Sequence, residues 1–494
     1  MKITLIQPPY TTRRPKDLEV GDERARPLAL FYMAAALEKT GHEVELIDFQ
    51  TGLYSDRDIT SRLRDNTSAI FGITALTGLR FEAINVARII RNLHPGSLII
   101  VGGVHFSKCS IDTLEHIPEI DAVVVGYGEE TLVEIANSYD KKNGFAGISG
   151  VIYREGDKII NNGERKPPDL DTLPDYSKFS YEEYPEWLLY HPGRIKAMSV
   201  FSSRGCPYRC IFCAVGNSQY LVRRSDLVVD EIEHWKKKFG IRAINFYDYN
   251  LTVNPSRVKE LCHELIKRKV GVQWWCESRV DIPLELLGLM SEAGCRWVSI
   301  GVETGSPEML KKISKGITYE QVINFIDKCK RLGIGITMLF MVSHPDETLK
   351  DLNETNTFIK RVCSKVDYFG VGATLIFPGS AIESMARAKG IIPADFSWSL
   401  PYESEISTRL TSFPNIPVFL DKLKVNEIED FMTYVTAGRR HLWKELITLV
   451  KMPSRWKIMS FRQNLLRMCR LFGLLKLKFL WWRSPGVRLR KTSR

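Results

Sequence analysis

Short apolar runs alternate with longer amphipathic segments from the first residue to about Tyr139. Five runs have the length of buried strands: KITLIQPP, EVELIDF, AIFGITAL, LIIVGG and DAVVVG. The segments between them, such as LALFYMAAALEKTG and RFEAINVARIIRNLHPG, have helical periodicity and end at glycine. Helices that alternate with strands imply an open parallel sheet covered on both faces. We therefore predict an α/β domain over residues 1–146.

The carboxyl ends of these strands are the first candidate site. In such sheets ligands bind beyond the carboxyl ends, where glycine lets the backbone approach a ligand closely. The ends carry QPPY, TALTG, GGVHF and GYGEE. The pair Gly126-x-Gly128 lacks the third glycine of the nicotinamide fingerprint, so that signal is weak. The candidate ligand contacts are Thr74, Gly102, Gly103, His105, Gly126, Gly128 and Glu129.

The pattern loosens over residues 147–194, which we interpret as a linker with a hairpin around Gly156. A second series of strands and helices begins at Ile195. Six β/α repeats over roughly 180 residues predict an incomplete barrel, which we place at 195–400, followed by a helical region at 401–494. Chemistry in barrels lies at the carboxyl ends of the strands. Those ends carry Arg204 and neighbouring cysteines, then Asp248, Asn250, Glu277, Arg279, Glu303, Ser343 and His344.

Length and composition place the chain among folded proteins with several domains. It has 494 residues, of which 44% are hydrophobic and 26% charged. Ten cysteines over this length do not form a disulfide framework, so a local cluster of them indicates metal or redox chemistry. The first apolar run has the length of a strand and lacks a cleavage signal, and we expect a cytoplasmic protein.

The net charge of +11 is concentrated at the end of the chain. Residues 439–494 contain sixteen Lys or Arg and one acid, Glu445, a charge of +15 that leaves −4 for the remainder. Cations interrupt every apolar run there, so no run approaches the roughly 20 residues of a spanning helix. Cations alternating with Leu, Phe and Trp suit a helix lying on anionic lipid, although a helical cap on the barrel is an alternative. No recognition module accompanies the charge, and we expect no nucleic acid.

Three cysteines lie close together in SSRGCPYRCIFCAV. Thiolates suit zinc or iron–sulfur clusters, and a closed zinc site needs four ligands. Cys206, Cys210 and Cys213 supply three, which would leave one iron of a [4Fe–4S] cluster open to a small molecule. We expect Arg204 and Arg209 to favour the thiolates, and the aromatic Phe212 to shield the cluster. A zinc site completed by a distant histidine is the alternative.

The loop from Cys206 to Cys213 resembles the signature of radical S-adenosylmethionine (SAM) enzymes, and the resemblance extends over about residues 195–385. It includes the strand end GVETG at 301–305 and the turn FPGS at 377–380. It implies a partial (β/α)6 barrel of TIM type, a [4Fe–4S] cluster on the three cysteines, and SAM chelated by the open iron. One electron would then split SAM into a hydrogen-abstracting 5'-deoxyadenosyl radical. The SAM contacts that it implies are Phe212, Asp248, Arg279, Glu303 and Ser343.

Simpler roles remain open for several of these residues. Asp248 and Asn250 could instead cap the following helix. Arg279 could clamp the SAM carboxylate or pair with Asp281. His344 replaces a glycine usual in the family, and we expect it to be a turn residue. The cysteines outside the loop are expected to be packing residues.

The first domain resembles the cobalamin-binding domain of cobalamin-dependent radical SAM enzymes. The matching stretches are PLALFYMAAALEKTGHEVELID, GGVHF and GYGEE. The resemblance implies a Rossmann-like domain and makes the glycine-rich strand ends, with Thr74, His105 and Glu129, cobalamin contacts. The motif D-x-H-x-x-G, which supplies a histidine ligand to cobalt in many cobalamin proteins, is absent. A domain that kept the fold and lost the cofactor is therefore the alternative.

These resemblances imply a cobalamin-dependent radical SAM enzyme that transfers methyl groups to an unactivated carbon through methylcobalamin. A second expectation is a radical cyclase or rearrangement enzyme, similar to the anaerobic magnesium-protoporphyrin ester cyclases, acting on a lipid, isoprenoid or tetrapyrrole. A non-catalytic zinc- or nucleic-acid-binding protein is the alternative from another class. We expect flavodoxin or ferredoxin as electron donor, a small hydrophobic substrate, and peripheral contact of the tail with the inner face of the membrane. No residue is assigned to the chemical step itself.

Overall fold

The computed structural model describes residues 1–10, 27–52, 54–139, 144–176, 178, 184, 186–191 and 195–436. The chain divides into two compact units, Met1–Glu429 and Asp430–Arg494, and only residues 430–436 of the second are described. The predicted basic tail at 439–494 lies outside the described residues. No helix in the described part of the chain has both the length and the apolar character that a membrane crossing requires.

The first sheet has the strand order β2-β1-β3-β4-β5-β6-β7. Its first five strands pair in parallel, as the alternation of apolar runs and helices predicts, and the last two pair antiparallel. The last two form the hairpin predicted around Gly156, which extends one edge of this sheet. The strands are β1 Lys2–Gln7, β2 Glu43–Asp48, β3 Ile70–Thr74, β4 Leu98–Gly102, β5 Ala122–Val124, β6 Val151–Glu155 and β7 Lys158–Asn161.

Helices cover both faces of the first sheet, and each face has its own hydrophobic core. One core packs Leu30 and Leu132, from two helices, on Leu5. The other packs Ile84 and Phe106 on Phe71. The doubly covered α/β sheet is thus confirmed. The helices are α1 Leu28–Lys39, α2 Asp56–Leu63, α3 Arg80–Leu93, α4 Gly103–Lys108, α5 Ser110–His116 and α6 Glu129–Ser138.

The second sheet has the order β16-β15-β14-β13-β12-β9-β8. Strands β9 and β12 to β16 are parallel, β8 is antiparallel at one edge, and β10 pairs with β11 in a separate ribbon. Six parallel strands that do not close confirm the predicted partial barrel. The strands are β8 Glu186–Trp187, β9 Lys196–Val200, β10 Ser203–Arg204, β11 Leu221–Val222, β12 Ala243–Phe246, β13 Gln273–Ser278, β14 Cys295–Glu303, β15 Gly335–Val342 and β16 Tyr368–Ala373.

Amphipathic helices separate the barrel strands, and further helices follow the last strand. Asn254 caps α8, and Thr318 caps α11 with the reciprocal hydrogen bonds of a capping box. The domain boundaries drawn from the sequence at 146, 194 and 400 stay predictions. The helices are α7 Ser225–Phe239, α8 Pro255–Lys267, α9 Leu284–Glu292, α10 Pro307–Lys312, α11 Tyr319–Leu332, α12 Leu349–Val362, α13 Ala381–Ala388, α14 Glu405–Leu410 and α15 Val425–Thr436.

Bulky side chains fill the barrel interior near the amino ends of its strands. Trp275 and Trp297 pack there with Ala197 and Ala243. Each indole nitrogen donates a hydrogen bond to a hydroxyl within the interior: Trp275 Nε1 to Ser299 Oγ at 2.9 Å, and Trp297 Nε1 to Thr337 Oγ1 at 2.9 Å. This filled layer leaves the carboxyl half of the interior for ligands, as in other barrels.

A segment after the barrel, residues 391–419, here called the strap, runs back across the first sheet. The guanidinium of Arg80 on α3 is fully buried and donates to the carbonyl oxygens of Trp398 at 2.8 Å and Asn415 at 2.6 Å. Trp398 and Phe419 pack in one apolar cluster with Cys109 of the first domain. The strap therefore joins the barrel to the first domain.

Candidate active site

The cysteine loop is a closed turn between β10 and β11. Ser218 fastens its ends: its Oγ accepts from Cys206 N at 2.9 Å, and its own N–H donates to Cys206 O at 3.0 Å. Gly205 has φ +81°, and a Cβ there would lie 1.9 Å from the carbonyl oxygen of Gln219. Only glycine fits this position. The loop presents three partly buried thiols, those of Cys206, Cys210 and Cys213.

Three thiols are one ligand short of a closed zinc site and match a [4Fe–4S] cluster with one open iron. Within the described ranges, no three His, Cys, Asp or Glu side chains converge as the ligands of one metal ion would. A tetrahedral zinc with Zn–S bonds of about 2.3 Å requires sulfur atoms about 4 Å apart. In an iron–sulfur cluster each thiolate binds a different iron, so the sulfur atoms lie farther apart. Cys206, Cys210 and Cys213 therefore supply three of the four ligands of a [4Fe–4S] cluster and leave one iron open.

Two cations oppose the effect of burial on the thiols. Desolvation raises the pKa of Cys206 and Cys210, while the nearby charges of Arg279 and Lys315 lower it. Desolvation also raises the pKa of Cys213, against which backbone N–H groups and Lys315 act. Cationic neighbours favour the thiolate that a metal requires.

The expectation that Arg204 and Arg209 supply these charges is wrong. Arg204 instead pairs with Glu129 at 2.7 Å, and Arg209 is exposed and donates to Asn217 Oδ1 at 3.2 Å. The arginines adjacent in sequence point away because the loop reverses its direction around the three thiols. The cations that face the thiols come from the ends of other elements.

Lys315, which sequence reasoning missed, occupies the centre of the site. Its Nζ pairs with Glu303 Oε1 at 2.7 Å, and both side chains are about nine-tenths buried. The same Nζ lies 5.9 Å from the centroid of Phe212. Glu303 ends β14 with φ +69°, where the pairing with β15 shifts register. Two predicted site residues, Glu303 and Phe212, therefore both lie beside Lys315.

Arg279 is held on three sides. It forms two hydrogen bonds of 2.8 Å with Asp281, donates to the carbonyl oxygen of Lys315 at 2.7 Å, and lies 3.9 Å from the centroid of Tyr208. The pairing with Asp281 considered from the sequence is therefore present. Arg279 also ties the cysteine loop, through Tyr208, to the loop that carries Lys315.

Ser343 and His344 form a turn after β15. Both backbone N–H groups donate to Glu347 Oε2, at 2.6 and 3.0 Å, and the Ser343 hydroxyl donates to the carbonyl of Phe419. His344 is buried with its ring 6.1 Å from that of Phe212, and burial lowers its pKa to about 4. His344 is the turn residue expected, and the turn supports the cluster loop from behind.

Asp248 and Asn250 organise the backbone around the cysteine loop. The Asp248 carboxylate accepts from Ser202 N at 3.1 Å, from Ser202 Oγ at 2.8 Å and from Ser203 Oγ. Asn250 Oδ1 accepts from Thr252 N at 3.2 Å and caps a short helix, as one reading of the sequence expects. Asp248 therefore positions the strand end that leads into the cysteine loop.

Glu277 is a second carboxyl group in the open half of the barrel. It lies two residues after Trp275 on β13, so both side chains face the interior. The Glu277 side chain is solvent-exposed within the open half of the barrel. Desolvation by the surrounding protein raises the pKa of Glu277 to about 7. The charge of Glu303 adds to this rise, and the charge of Lys315 opposes it. Such a group exchanges its proton near neutral pH.

A cavity of about 600 Å³ lies between the carboxyl edge of the first sheet and the cysteine loop. One wall contains residues 214–218 of the loop, together with Phe201, Tyr247 and Tyr249. The opposite wall contains six of the seven residues predicted as cobalamin contacts. These six are Thr74, Gly102, Gly103, Gly126, Gly128 and Glu129.

His105, the seventh predicted contact, is not among the residues that line the cavity. It is fully buried, with Nδ1 3.3 Å from Thr77 Oγ1 and its ring 6.2 Å from that of Trp398. Burial and the nearby charge of Arg80 lower its pKa to about 3. Its ring packs under the strap, away from the other predicted contacts.

The cavity lining combines apolar side chains with exposed glycine backbone. Its inner part is apolar, lined by Leu5, Leu30, Met33 and other side chains of the sheet and of α1 and α6. Part of its lining is glycine backbone, and Gly126, with φ +83°, has open space beside its Cα. Cobalamin has a planar ring and an aromatic tail, so the lining fits cobalamin.

Comparisons with known proteins agree with this site. Residues 200–359 match the model of the Radical SAM superfamily, and residues 20–136 match the B12 binding domain. An uncharacterized methyltransferase of Pyrococcus horikoshii is 30% identical over 402 residues, 79% of this chain and 84% of that protein. The anaerobic magnesium-protoporphyrin IX monomethyl ester cyclase of Rubrivivax gelatinosus is 30% identical over 341 residues, 67% of this chain and 61% of that protein.

Solved structures share the fold. The radical SAM methyltransferase TsrM from Kitasatospora setae, solved with cobalamin and a [4Fe–4S] cluster bound, superposes with a TM-score of 0.64 at 20% identity, covering 78% of each chain. The cobalamin-dependent SAM radical enzyme OxsB superposes with a TM-score of 0.67 at 18% identity, covering 97% of this chain and 71% of that one. At this identity the likeness concerns the fold alone.

Fold, site and relatives together define a class of enzyme built from a cobalamin domain and a radical SAM barrel. The chain belongs to the B12-binding radical SAM enzymes, whose members among its relatives include methyltransferases and magnesium-protoporphyrin ester cyclases. Its cofactors are a [4Fe–4S] cluster, SAM and cobalamin. The predicted family, fold class and cofactors are thereby confirmed, and the non-catalytic alternative is set aside.

Proposed function

We propose that this enzyme transfers a methyl group to an unactivated carbon of a small substrate. One observation carries the proposal: a single cavity has the glycine-rich edge of the first sheet on one wall and the cysteine loop on the other. Cobalamin bound on one wall would face the cysteine loop on the other across this cavity. The methyltransferase from Pyrococcus horikoshii, aligned over most of both chains, supports the same reaction.

The residues that would hold the cofactors follow from these two walls. Cys206, Cys210 and Cys213 would hold the cluster. Glu303, with Phe212, Ser343, Asp248 and Arg279, remains the proposed SAM contact set, and Lys315 joins it because its amine pairs with Glu303. When bound, the cluster and SAM supply a hydrogen-abstracting radical, and cobalamin supplies the methyl group. The proposed cobalamin contacts are the six cavity residues, Thr74, Gly102, Gly103, Gly126, Gly128 and Glu129.

The side chains themselves prepare the site in three ways. Arg279 and Lys315 lower the pKa of the cluster thiols and so favour ligation. The strap and Phe212 pack in one apolar cluster beside the loop and exclude water from it. Glu277 can take up a proton near neutral pH within the barrel interior. We propose that Glu277 accepts a proton or a hydrogen bond from bound substrate.

A radical cyclisation is the second candidate. The magnesium-protoporphyrin ester cyclases align with this chain over two thirds of its length and support it. Such a reaction would consume SAM without moving its methyl group. The two candidates therefore differ in what becomes of SAM.

The test is the product pattern of the anaerobically purified enzyme. Protein with cluster and cobalamin is incubated with methyl-deuterated SAM, reduced flavodoxin and an extract of small molecules from the source cells. Methyl transfer predicts both S-adenosylhomocysteine and 5'-deoxyadenosine, and an extract compound heavier by one deuterated methyl group. 5'-Deoxyadenosine without S-adenosylhomocysteine would exclude methyl transfer and favour cyclisation. Cys210→Ala, which lacks a cluster ligand, is the control and should yield no 5'-deoxyadenosine.

The proposed partners need separate measurements. Flavodoxin and ferredoxin are compared as electron donors in the same assay. Contact of residues 439–494 with the inner face of the membrane is tested by sedimentation of the full chain, and of a chain ending at 436, with anionic liposomes. Equal sedimentation of the two would exclude a membrane role for the tail.

A further inference from the structure

Arg204 reaches from the cysteine loop into the first domain. It lies two residues before Cys206, and its guanidinium pairs with Glu129 Oε1 at 2.7 Å. Glu129 is the first residue of α6 and directly follows the Gly126–Gly128 loop of the cavity rim. A single ion pair thus connects the two loops that form opposite walls of the cavity.

The pair is enclosed from water. The Arg204 and Glu129 side chains are only 12% and 10% exposed. Three aromatic rings surround the guanidinium, with their centroids 5.7 Å away for Tyr32, 5.5 Å for Tyr127 and 5.7 Å for Phe201. Two of these rings belong to the first domain and one follows β9 of the barrel. A buried cation in an aromatic enclosure, paired with a carboxylate, has one favourable position, because every displacement costs it a partner.

We propose that the Arg204–Glu129 pair positions the cysteine loop against the cobalamin cavity and so sets the distance between the cluster and cobalt. Arg204 is assigned to neither cofactor and is a positioning residue, while Glu129 is also one of the proposed cobalamin contacts. This inference rests on the proposed function, in which both cofactors act on one substrate. Misplacement of reacting groups by about 1 Å costs on the order of a hundredfold in rate. The pair therefore governs the use of the radical for methyl transfer, while formation of the radical depends on the cluster loop and the SAM contacts.

The test uses the holoenzyme and three variants. Glu129→Gln and Arg204→Gln each remove one charge of the pair, and Arg204→Lys keeps the positive charge with a different shape. Glu134→Gln is the matched control. Glu134 lies on the same helix as Glu129 and is about half exposed, and the substitution breaks its ion pair of 2.6 Å with Arg165. Iron and cobalt are quantified first, so that only protein carrying both cofactors is compared.

The main measurement is the magnetic interaction between cob(II)alamin and the reduced cluster, observed by electron paramagnetic resonance. We expect one well-defined interaction in the wild type and in Glu134→Gln. In Glu129→Gln and Arg204→Gln we expect a weaker or broadened interaction, with Arg204→Lys intermediate. Unchanged spectra in both Gln variants would overturn the proposal. This measurement needs no substrate, so failure of the proposed methyl transfer would leave its result interpretable.

The second measurement is the coupling of SAM cleavage to methyl transfer. We expect 5'-deoxyadenosine formation by Arg204→Gln to stay within about twofold of wild type, while methylated product falls roughly a hundredfold. Glu129→Gln changes a proposed cobalamin contact and is compared by the magnetic interaction only. A parallel loss of both products at full cofactor content would mean that the pair supports the cluster loop itself, and would overturn the proposal. If Arg204→Gln does not fold, Arg204→Lys provides this comparison, and Glu129→Gln provides the magnetic one.

Discussion

Replacing Lys315 by methionine removes the cation at the centre of the site while keeping the length of its side chain. Lys315 pairs with Glu303 at 2.7 Å, and the two side chains are 10% and 9% exposed. The substitution leaves the Glu303 carboxylate buried without its partner. It also leaves Glu303 near the second carboxyl of the interior, that of Glu277.

The distance sets the size of the effect. Two unit charges at 2.7 Å attract by about 6 kcal/mol at an effective dielectric constant of about 20. Part of this attraction offsets the desolvation of both ions, so the pair as a whole contributes less. Removing one partner of a buried pair typically costs about 3 to 5 kcal/mol, because the other charge is left uncompensated. We expect Lys315→Met to lower the free energy of unfolding by that amount.

The assay is urea unfolding of the cofactor-free protein, kept anaerobic and reduced, followed by circular dichroism. Lys312→Met is the matched control, since Lys312 pairs with Glu308 at 2.9 Å on the exposed face of α10. An exposed pair of this kind contributes about 0.5 kcal/mol or less. The double variant Lys315→Met with Glu303→Gln removes both charges and should recover much of the loss.

Two results would refute the electrostatic account of this pair. One is that Lys315→Met lowers the free energy of unfolding no more than Lys312→Met does. The other is a double variant as unstable as Lys315→Met alone, which would mean that lost packing, and not a stranded carboxylate, causes the instability.

Three further predictions concern the supports of the site. Arg80→Met should lower the free energy of unfolding by about 3 kcal/mol or more, because it leaves buried carbonyl oxygens of the strap unpaired. Urea unfolding measures this change, and Arg88→Met, at an exposed arginine, is the control. As the pH rises from 4.5 to 7, the wild type should lose up to about 3 kcal/mol of unfolding free energy that Glu347→Gln keeps. The reason is that burial raises the pKa of Glu347 to about 7, so that ionisation between these values favours the unfolded chain. His105→Ala should leave the absorption spectrum of bound cobalamin unchanged, because His105 lies outside the cavity lining.

Each of these predictions has a clear contrary result. Arg80→Met as stable as Arg88→Met would mean that the strap does not depend on the buried guanidinium. A stability difference for Glu347→Gln that stays constant from pH 4.5 to 7 would mean that the buried carboxyl does not titrate in that range. A shifted cobalt spectrum in His105→Ala would make that histidine a ligand after all.

Local patterns made most of the fold predictable. The alternation of apolar runs with helical segments depends on neighbouring residues only, so both sheets and the hairpin at Gly156 follow from it. The three thiols are equally local, because eight consecutive positions from Cys206 to Cys213 lie in one loop. Strand ends such as Gly126 and Glu303 follow from the rule that parallel strands end at the same edge.

The contacts inside the site depend on where the loops point, and sequence does not show that. Lys315 is one lysine in the run KKISKG, and only the fold brings it to Glu303 across the interior. Arg204 stands beside the cysteines in sequence, but β10 turns its side chain toward the first domain. His105 follows a predicted ligand loop, yet α4 carries it beneath Trp398 of the strap, which lies almost three hundred residues later.

The position of the strap late in the sequence determines when its contacts can form during synthesis. Residues 391–419 leave the ribosome after every strand of both sheets, and domains fold as units during synthesis. Arg80 therefore meets its carbonyl partners on Trp398 and Asn415 only when the barrel is already complete. Until then the two halves are joined without the strap, through contacts such as the Arg204–Glu129 pair. The contacts that the strap makes with the first domain are therefore among the last in the molecule to form.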